Sequence, residues 1–120
     1  MLRERVEHFI DVARRNRAIP ILATHALRAQ SDDTGSLARE RVAETSQLLK
    51  MYPEEVIEAF EEYNAMIKEL ASQYRVPLAD VRSAVGPEAE NWGDATHFSP
   101  TGSFLAATEV AKAIATTIDK

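Results

Sequence analysis

Twice in this 120-residue chain a helical stretch leads into a very short apolar run that carries a proline, and this repeat limits the fold more than any other feature. The first run is Ala18-Ile19-Pro20-Ile21-Leu22-Ala23-Thr24, and the second is Arg75-Val76-Pro77-Leu78-Ala79-Asp80-Val81. Each is too brief for a helix, and the first is apolar almost throughout, as a strand buried on both faces is. Proline has no N–H to give a ladder, which places Pro20 and Pro77 near strand starts or at unpaired positions. Short apolar strands alternating with helices predict parallel pairing through helical crossovers. Two strands cover their own backbone and faces poorly, so the sheet reads as incomplete.

The helices have their own signatures. Residues 2–17 set Leu2, Val6, Phe9, Ile10 and Ala13 at helical spacing among Arg, Glu and Asp, which predicts an amphipathic helix. Pro53 suits a first helical position, and Glu54 and Glu55 suit the positive end of the dipole. Behind them Val56, Phe60, Tyr63, Ile67, Leu70 and Tyr74 form one continuous stripe. Ser99-Pro100 reads as an N-cap and first turn, with Phe104, Ala107, Ala111, Ile114 and Ile118 as the inward face of a last helix. Residues 25–52 are less legible and long for a connection, the place for a lid or pocket wall. Ser31 to Ser36 is turn chemistry there, followed by a helix within 37–50 that uses Leu37, Val42, Thr45, Leu48 and Leu49 as its face. Residues 83–98, with Gly86, Pro87 and Gly93, read as a loop.

Composition removes several function classes. Fourteen Lys and Arg against nineteen Asp and Glu leave a net charge of −5, which argues against nucleic acid and its demand for a basic face. The densest basic cluster, Arg14, Arg15 and Arg17, sits among acidic neighbours as a solvated helical face. With no cysteine there is no disulfide, thiol nucleophile or Cys-ligated metal. No apolar run approaches a membrane span. Charges follow Met1-Leu2 where an export signal needs an apolar run, so a cytoplasmic chain is the expectation.

The informative stretch is Asn91-Trp92-Gly93-Asp94-Ala95-Thr96-His97-Phe98-Ser99-Pro100-Thr101-Gly102. An Asp and a His three apart, just before a capped helix, can set a carboxylate against an imidazole. The carboxylate fixes the tautomer and stabilises the imidazolium, leaving the second nitrogen to take a proton from a nucleophile. Taken alone, D-x-x-H fits better an Asp capping a turn beside a half-buried ring. Asp-x-x-His-Phe-Ser-x-x-Gly followed by an Ala-rich helix, however, resembles the last block of the SGNH hydrolases, the GDSL esterase/lipase family. Residues 62–71 and 74–80 are similar to that family's penultimate helix and final strand, and 19–24 to the strand before. The resemblance spans nearly the whole chain. It implies a partial flavodoxin-like three-layer α/β fold, with parallel strands near 19–24 and 76–81 and helices near 2–17, 53–74 and 100–118. It also implies His97 as catalytic base, Asp94 as its orienting acid, and a single, incomplete SGNH-like domain over residues 1–120.

The family's nucleophilic Ser and its oxyanion-hole Gly and Asn belong to blocks that this chain does not contain. Gly35-Ser36-Leu37 looks like a corrupted G-D-S-L but follows the wrong strand, and Ser99 reads as an N-cap. The expectation is therefore the C-terminal part of a serine ester hydrolase, inactive alone, whose complete enzyme takes a small ester or acetylated substrate without metal or organic cofactor. His97 with Asp94 gives at most two metal ligands, and His8 and His25 lie on other elements. His25, just after the first strand, stands where α/β sites lie, though an ordinary loop histidine fits as well. Trp92 reads as a packing residue. The alternative is a non-catalytic module that oligomerises through an exposed sheet edge, by pairing with a second copy or with an N-terminal segment.

Overall fold

The computed structural model, which describes residues 1–94 and 96–118, runs α1 (Leu2–Arg15), β1 (Leu22–Ala23), α2 (Gly35–Leu49), α3 (Pro53–Tyr74), β2 (Leu78–Ala79) and α4 (Val81–Ala84). A 3-10 turn at Ala89–Asn91 and α5 (Pro100–Ile118) complete it. Strands β1 and β2 pair in parallel, Leu22 opposite Leu78 and Ala23 opposite Ala79. The Leu22 N–H donates to the Pro77 carbonyl at 3.0 Å and the Thr24 N–H to the Ala79 carbonyl at 3.1 Å.

This overturns the expected flavodoxin-like three-layer α/β fold. The molecule is mostly helical, 66% helix against 5% strand, with one two-stranded parallel sheet. Only two residues of each apolar run join the ladder, because Pro20 and Pro77 have no N–H and each strand has one neighbour. A sheet this small cannot organise two covering layers, so helix packing carries the fold.

Helix α3 is the organising element. Pro53 is its first residue, and the Glu55 carboxylate accepts from the Tyr52 backbone N–H at 3.0 Å, satisfying a donor the helix start leaves free. Its stripe buries Val56, Ile67 and Leu70, with Phe60, Tyr63 and Tyr74 half-buried; Ile57, Asn64 and Ala71 are buried as well. Ile67, Leu70 and Ala71 pack with Ile10 of α1 and Leu22 of β1. Val56 and Ile57 pack with Ala38 and Val42 of α2. A third cluster joins Ala79 of β2 to Val81, Val85, Trp92 and Ala113.

Two expected faces are corrected. In α2 Val42 of the expected face is buried, together with Ala38, but Leu37 and Leu49 are exposed and Leu48 is 82% exposed, the helical geometry being broken at Val42 (φ −128°). In α5 the buried residues are Gly102 and Ala113, with Leu105, Ala106 and Val110 packed beside them; Phe104, Ala107, Ala111, Ile114 and Ile118 face outward. An Ala-rich helix is apolar on several sides, so periodicity cannot choose between them; contact with the strand does. The expected 83–98 loop also contains the end of α4 and the 3-10 turn.

Candidate functional site

The Asp94 loop is built on a pinched base. Trp92 and Phe98 form an isolated antiparallel bridge, and the Gly93 N–H donates to the His97 carbonyl at 2.8 Å. Trp92, 8% exposed, donates its indole N–H to the Gly86 carbonyl at 3.0 Å and packs against the Phe98 ring at 5.1 Å. It is an anchor, as the sequence indicates. At the other end the Ser99 hydroxyl accepts from the Gly102 N–H at 3.2 Å, the N-cap of α5, and donates to the Glu90 carbonyl.

Held between these anchors, Asp94 and His97 meet. The His97 Nδ1 lies 3.0 Å from both carboxylate oxygens of Asp94. Asp94 Oδ1 also accepts the Thr96 and His97 backbone N–H groups, each at 2.8 Å. Those bonds, the Thr96 N–H first and the His97 ring next, hold the Asp94 carboxyl down at about 2. The carboxylate is thus a fixed anion, and it draws the imidazole proton to Nδ1, leaving Nε2 as the acceptor. The Thr96 hydroxyl lies 3.0 Å from Nδ1 and 3.3 Å from Asp94 Oδ1. The pair is open to solvent, the His97 side chain being 79% exposed and that of Asp94 52%. Such a pair can accept a proton from a hydroxyl brought to Nε2.

Among the described residues no serine hydroxyl bonds the His97 ring. Ser99 is engaged with Glu90 and Gly102, and Ser83 donates to Asp80 Oδ2 at 2.8 Å. Ser36 lies in the first turn of α2, after an N-cap position held by Thr34. His8 lies on the exposed side of α1. No group of three His, Cys, Asp or Glu among the described residues could hold a metal ion.

Sequence reading gave little weight to the floor of the site, at the C-terminal ends of the strands. Thr24 donates to Asp80 Oδ1 at 2.8 Å and accepts from the Arg82 N–H at 2.9 Å, tying the two strand exits together. Burial pushes the Asp80 carboxyl up, but hydrogen bonds from Thr24 and Ser83 and the charge of Lys68 outweigh it and leave it below its ordinary value. Asn64 clamps the next residue, its Oδ1 accepting from the His25 N–H at 2.7 Å and its amide donating to the His25 carbonyl at 3.0 Å. Arg82, nearly buried, donates to the Leu27 carbonyl, to that of Ala29 at 2.8 Å and to Glu61 at 2.6 Å. The available signal was an Asn within an apolar helical stripe, since a buried amide needs partners.

Above this floor lies a cleft of about 300 Å³ lined by Thr24, His25, Val81, Trp92, Thr96 and Phe98. Thr96 thus belongs to both the cleft and the Asp94–His97 cluster. The described helices include none long and apolar enough to cross a membrane. Compared with known protein families, curated proteins and solved structures, the chain matches none.

Proposed function

We propose that this chain supplies the base and acid of a serine ester hydrolase of SGNH type, with His97 as general base and Asp94 as its orienting acid. One observation carries the reading: an imidazole held at Nδ1 by both oxygens of a fixed carboxylate, exposed beside a cleft at the strand ends. In this mechanism a serine hydroxyl from polypeptide outside residues 1–120 gives its proton to His97 Nε2 as it attacks the ester carbonyl. Asp94 stabilises the imidazolium, which then returns the proton to the leaving alcohol. Residues 1–120 alone are inactive on esters, because a base without a nucleophile has nothing to activate.

Two measurements test this. Long-range ¹H–¹⁵N spectra report the tautomer of neutral His97: the Nδ1–H form in this protein, redistributed in Asp94→Ala. A tautomer that ignores Asp94 removes the base–acid assignment. For the missing hydroxyl, p-nitrophenyl acetate turnover by the chain stays at the level of a His97→Ala control, and a fluorophosphonate labels no serine. Labelling of any serine overturns the externally supplied nucleophile.

A second reading rests on α5. Its outward line of Phe104, Ala107, Ala111, Ile114 and Ile118 leaves Phe104 71% and Ile118 72% exposed, and β1 has β2 as its one described neighbour. An exposed apolar stripe, with a sheet of only two described strands, suits a non-catalytic module that pairs with a second copy of itself. Light scattering then gives a dimer that Phe104→Glu with Ile118→Glu splits; a wild-type monomer at all concentrations removes this reading.

A further inference from the structure

Strands β1 and β2 run in parallel, so the residues that lead into each meet at one end of the sheet, opposite the exits that carry Thr24 and Asp80. A cavity of about 230 Å³ lies at that end, lined by Ile19 and Pro20 before β1, Val76 and Pro77 before β2, and two arginines, Arg14 and Arg75. Among the described residues that line it, these two alone are charged. No described carboxylate comes within 4.0 Å of either guanidinium, although acids outnumber bases in this chain and Arg3, Arg15, Arg41 and Arg82 each hold one. Arg75 also stands in the left-handed region (φ 54°), where a helix end favours glycine. The ends of α1 and α3 flank the cavity, and bare helix C-termini repel anions. Here their carbonyls are engaged: Ala13 and Ala71 accept from the Ala18 and Val76 N–H groups at 2.8 and 2.9 Å, and Tyr74 accepts from the Arg14 side chain. That bond uses one of the five guanidinium donors of Arg14 and leaves the others.

We infer that this cavity binds a phosphate group, as the free ion or as a small monoester, between the guanidinium groups of Arg14 and Arg75. Two forks from different helix ends match a tetrahedral oxyanion carrying close to two charges, whereas a carboxylate engages one fork. The Thr117 hydroxyl, also on the lining, is committed to the Ile114 carbonyl at 2.7 Å, so the arginines are the side-chain donors. Val76 and Pro20 are buried and give the site an apolar floor on which a monoester's body can rest. The volume is below the roughly 300 Å³ at which pockets for larger ligands begin, which limits that body to a small one. The inference is independent of Asp94 and His97.

The 120-residue chain can be titrated with inorganic phosphate, phenyl phosphate and acetate at constant ionic strength and about pH 7.5, where phosphate is largely a dianion. NMR follows the arginine Nε–H groups and the Ile19 and Val76 methyl groups. Phosphate is expected to shift the Arg14 and Arg75 signals saturably, with acetate at least about tenfold weaker. Arg75→Gly should weaken phosphate at least about tenfold, as loss of charge-assisted hydrogen bonds dictates. The same variant should raise Tm in phosphate-free buffer, because glycine fits the left-handed position. Arg14→Gln should weaken phosphate to a similar extent, and Arg15→Gln, one residue on and paired with Asp11, should leave it unchanged. Phenyl phosphate that binds more tightly and moves the Ile19 and Val76 methyl groups supports the site in its monoester form; equal affinities support the free ion. Shifts spread evenly over the surface arginines without saturation, or phosphate binding that survives Arg75→Gly and Arg14→Gln, overturn the site.

Discussion

Gly102 offers the sharpest test of how the fold holds the Asp94–His97 loop. It lies in the first turn of α5, packed backbone to backbone on the segment that leads into the loop. A Cβ there would overlap the Asn91 carbonyl oxygen and lie 3.0 Å from the Asn91 carbonyl carbon. Ordinary carbon contacts are about 3.5–4.0 Å, so Gly102→Ala forces the two backbones apart by at least about 0.5–1 Å. Neither side yields cheaply, because Asn91 also accepts from the Ser99 N–H at 3.0 Å. Overpacking costs about 1–3 kcal/mol, and a backbone clash belongs at the upper end. Alanine's better helix propensity returns up to about 1 kcal/mol. The net loss is about 2 kcal/mol, a fall in Tm of about 8 °C for a chain of this size. Circular dichroism melts read the loss, and the His97 tautomer shows whether the loop has moved. Gly35 is the control, since a Cβ there meets nothing within 4 Å, although its φ of +59° carries its own strain of about 1 kcal/mol. A Gly102→Ala protein as stable as wild type refutes the close-approach argument.

Three more outcomes follow from the same contacts. The Asp94 carboxyl is held at about 2 against an ordinary 3.8, so its contribution is complete above pH 3.8 and is lost as pH falls through 2. Thr96 and His97 amide shifts should therefore titrate with a midpoint near pH 2, and a midpoint near 3.8 contradicts the clamp. Asn64→Ala leaves the His25 N–H and carbonyl without their partner and should cost about 2–4 kcal/mol, seen as a lower urea midpoint at unchanged slope. Arg82→Lys cannot span two carbonyls and Glu61 with one ammonium and should cost about 1–3 kcal/mol in the same assay; no loss would mean the fork is idle.

The Gly102 contact gives a physical reason for one letter of the motif. In Asp-x-x-His-Phe-Ser-x-x-Gly, Ser99 caps α5 and Gly102 lets α5 approach Asn91, so the two fix the loop that carries Asp94 and His97. The adjacency of Asp94 and His97 was legible because three residues in a turn suffice to join them. His25 was visible only as a residue after a strand. Its link to Phe60, thirty-five positions on in the sequence, required α3 to lie against the strand exit.

Local chemistry by itself determined the helix around Pro53–Tyr74 and the cap at Ser99, because caps, proline geometry and apolar spacing act within a few residues, while the order of helices and strands along the chain set the parallel sense of the two strands. Tertiary structure decided how much of each apolar run would ladder, which side of α5 would be buried, and that Asn64 and Arg82 would grip the chain after β1. Those outcomes depend on which surfaces meet, and an Ala-rich helix or a two-residue strand presents several nearly equivalent surfaces until a neighbour selects one.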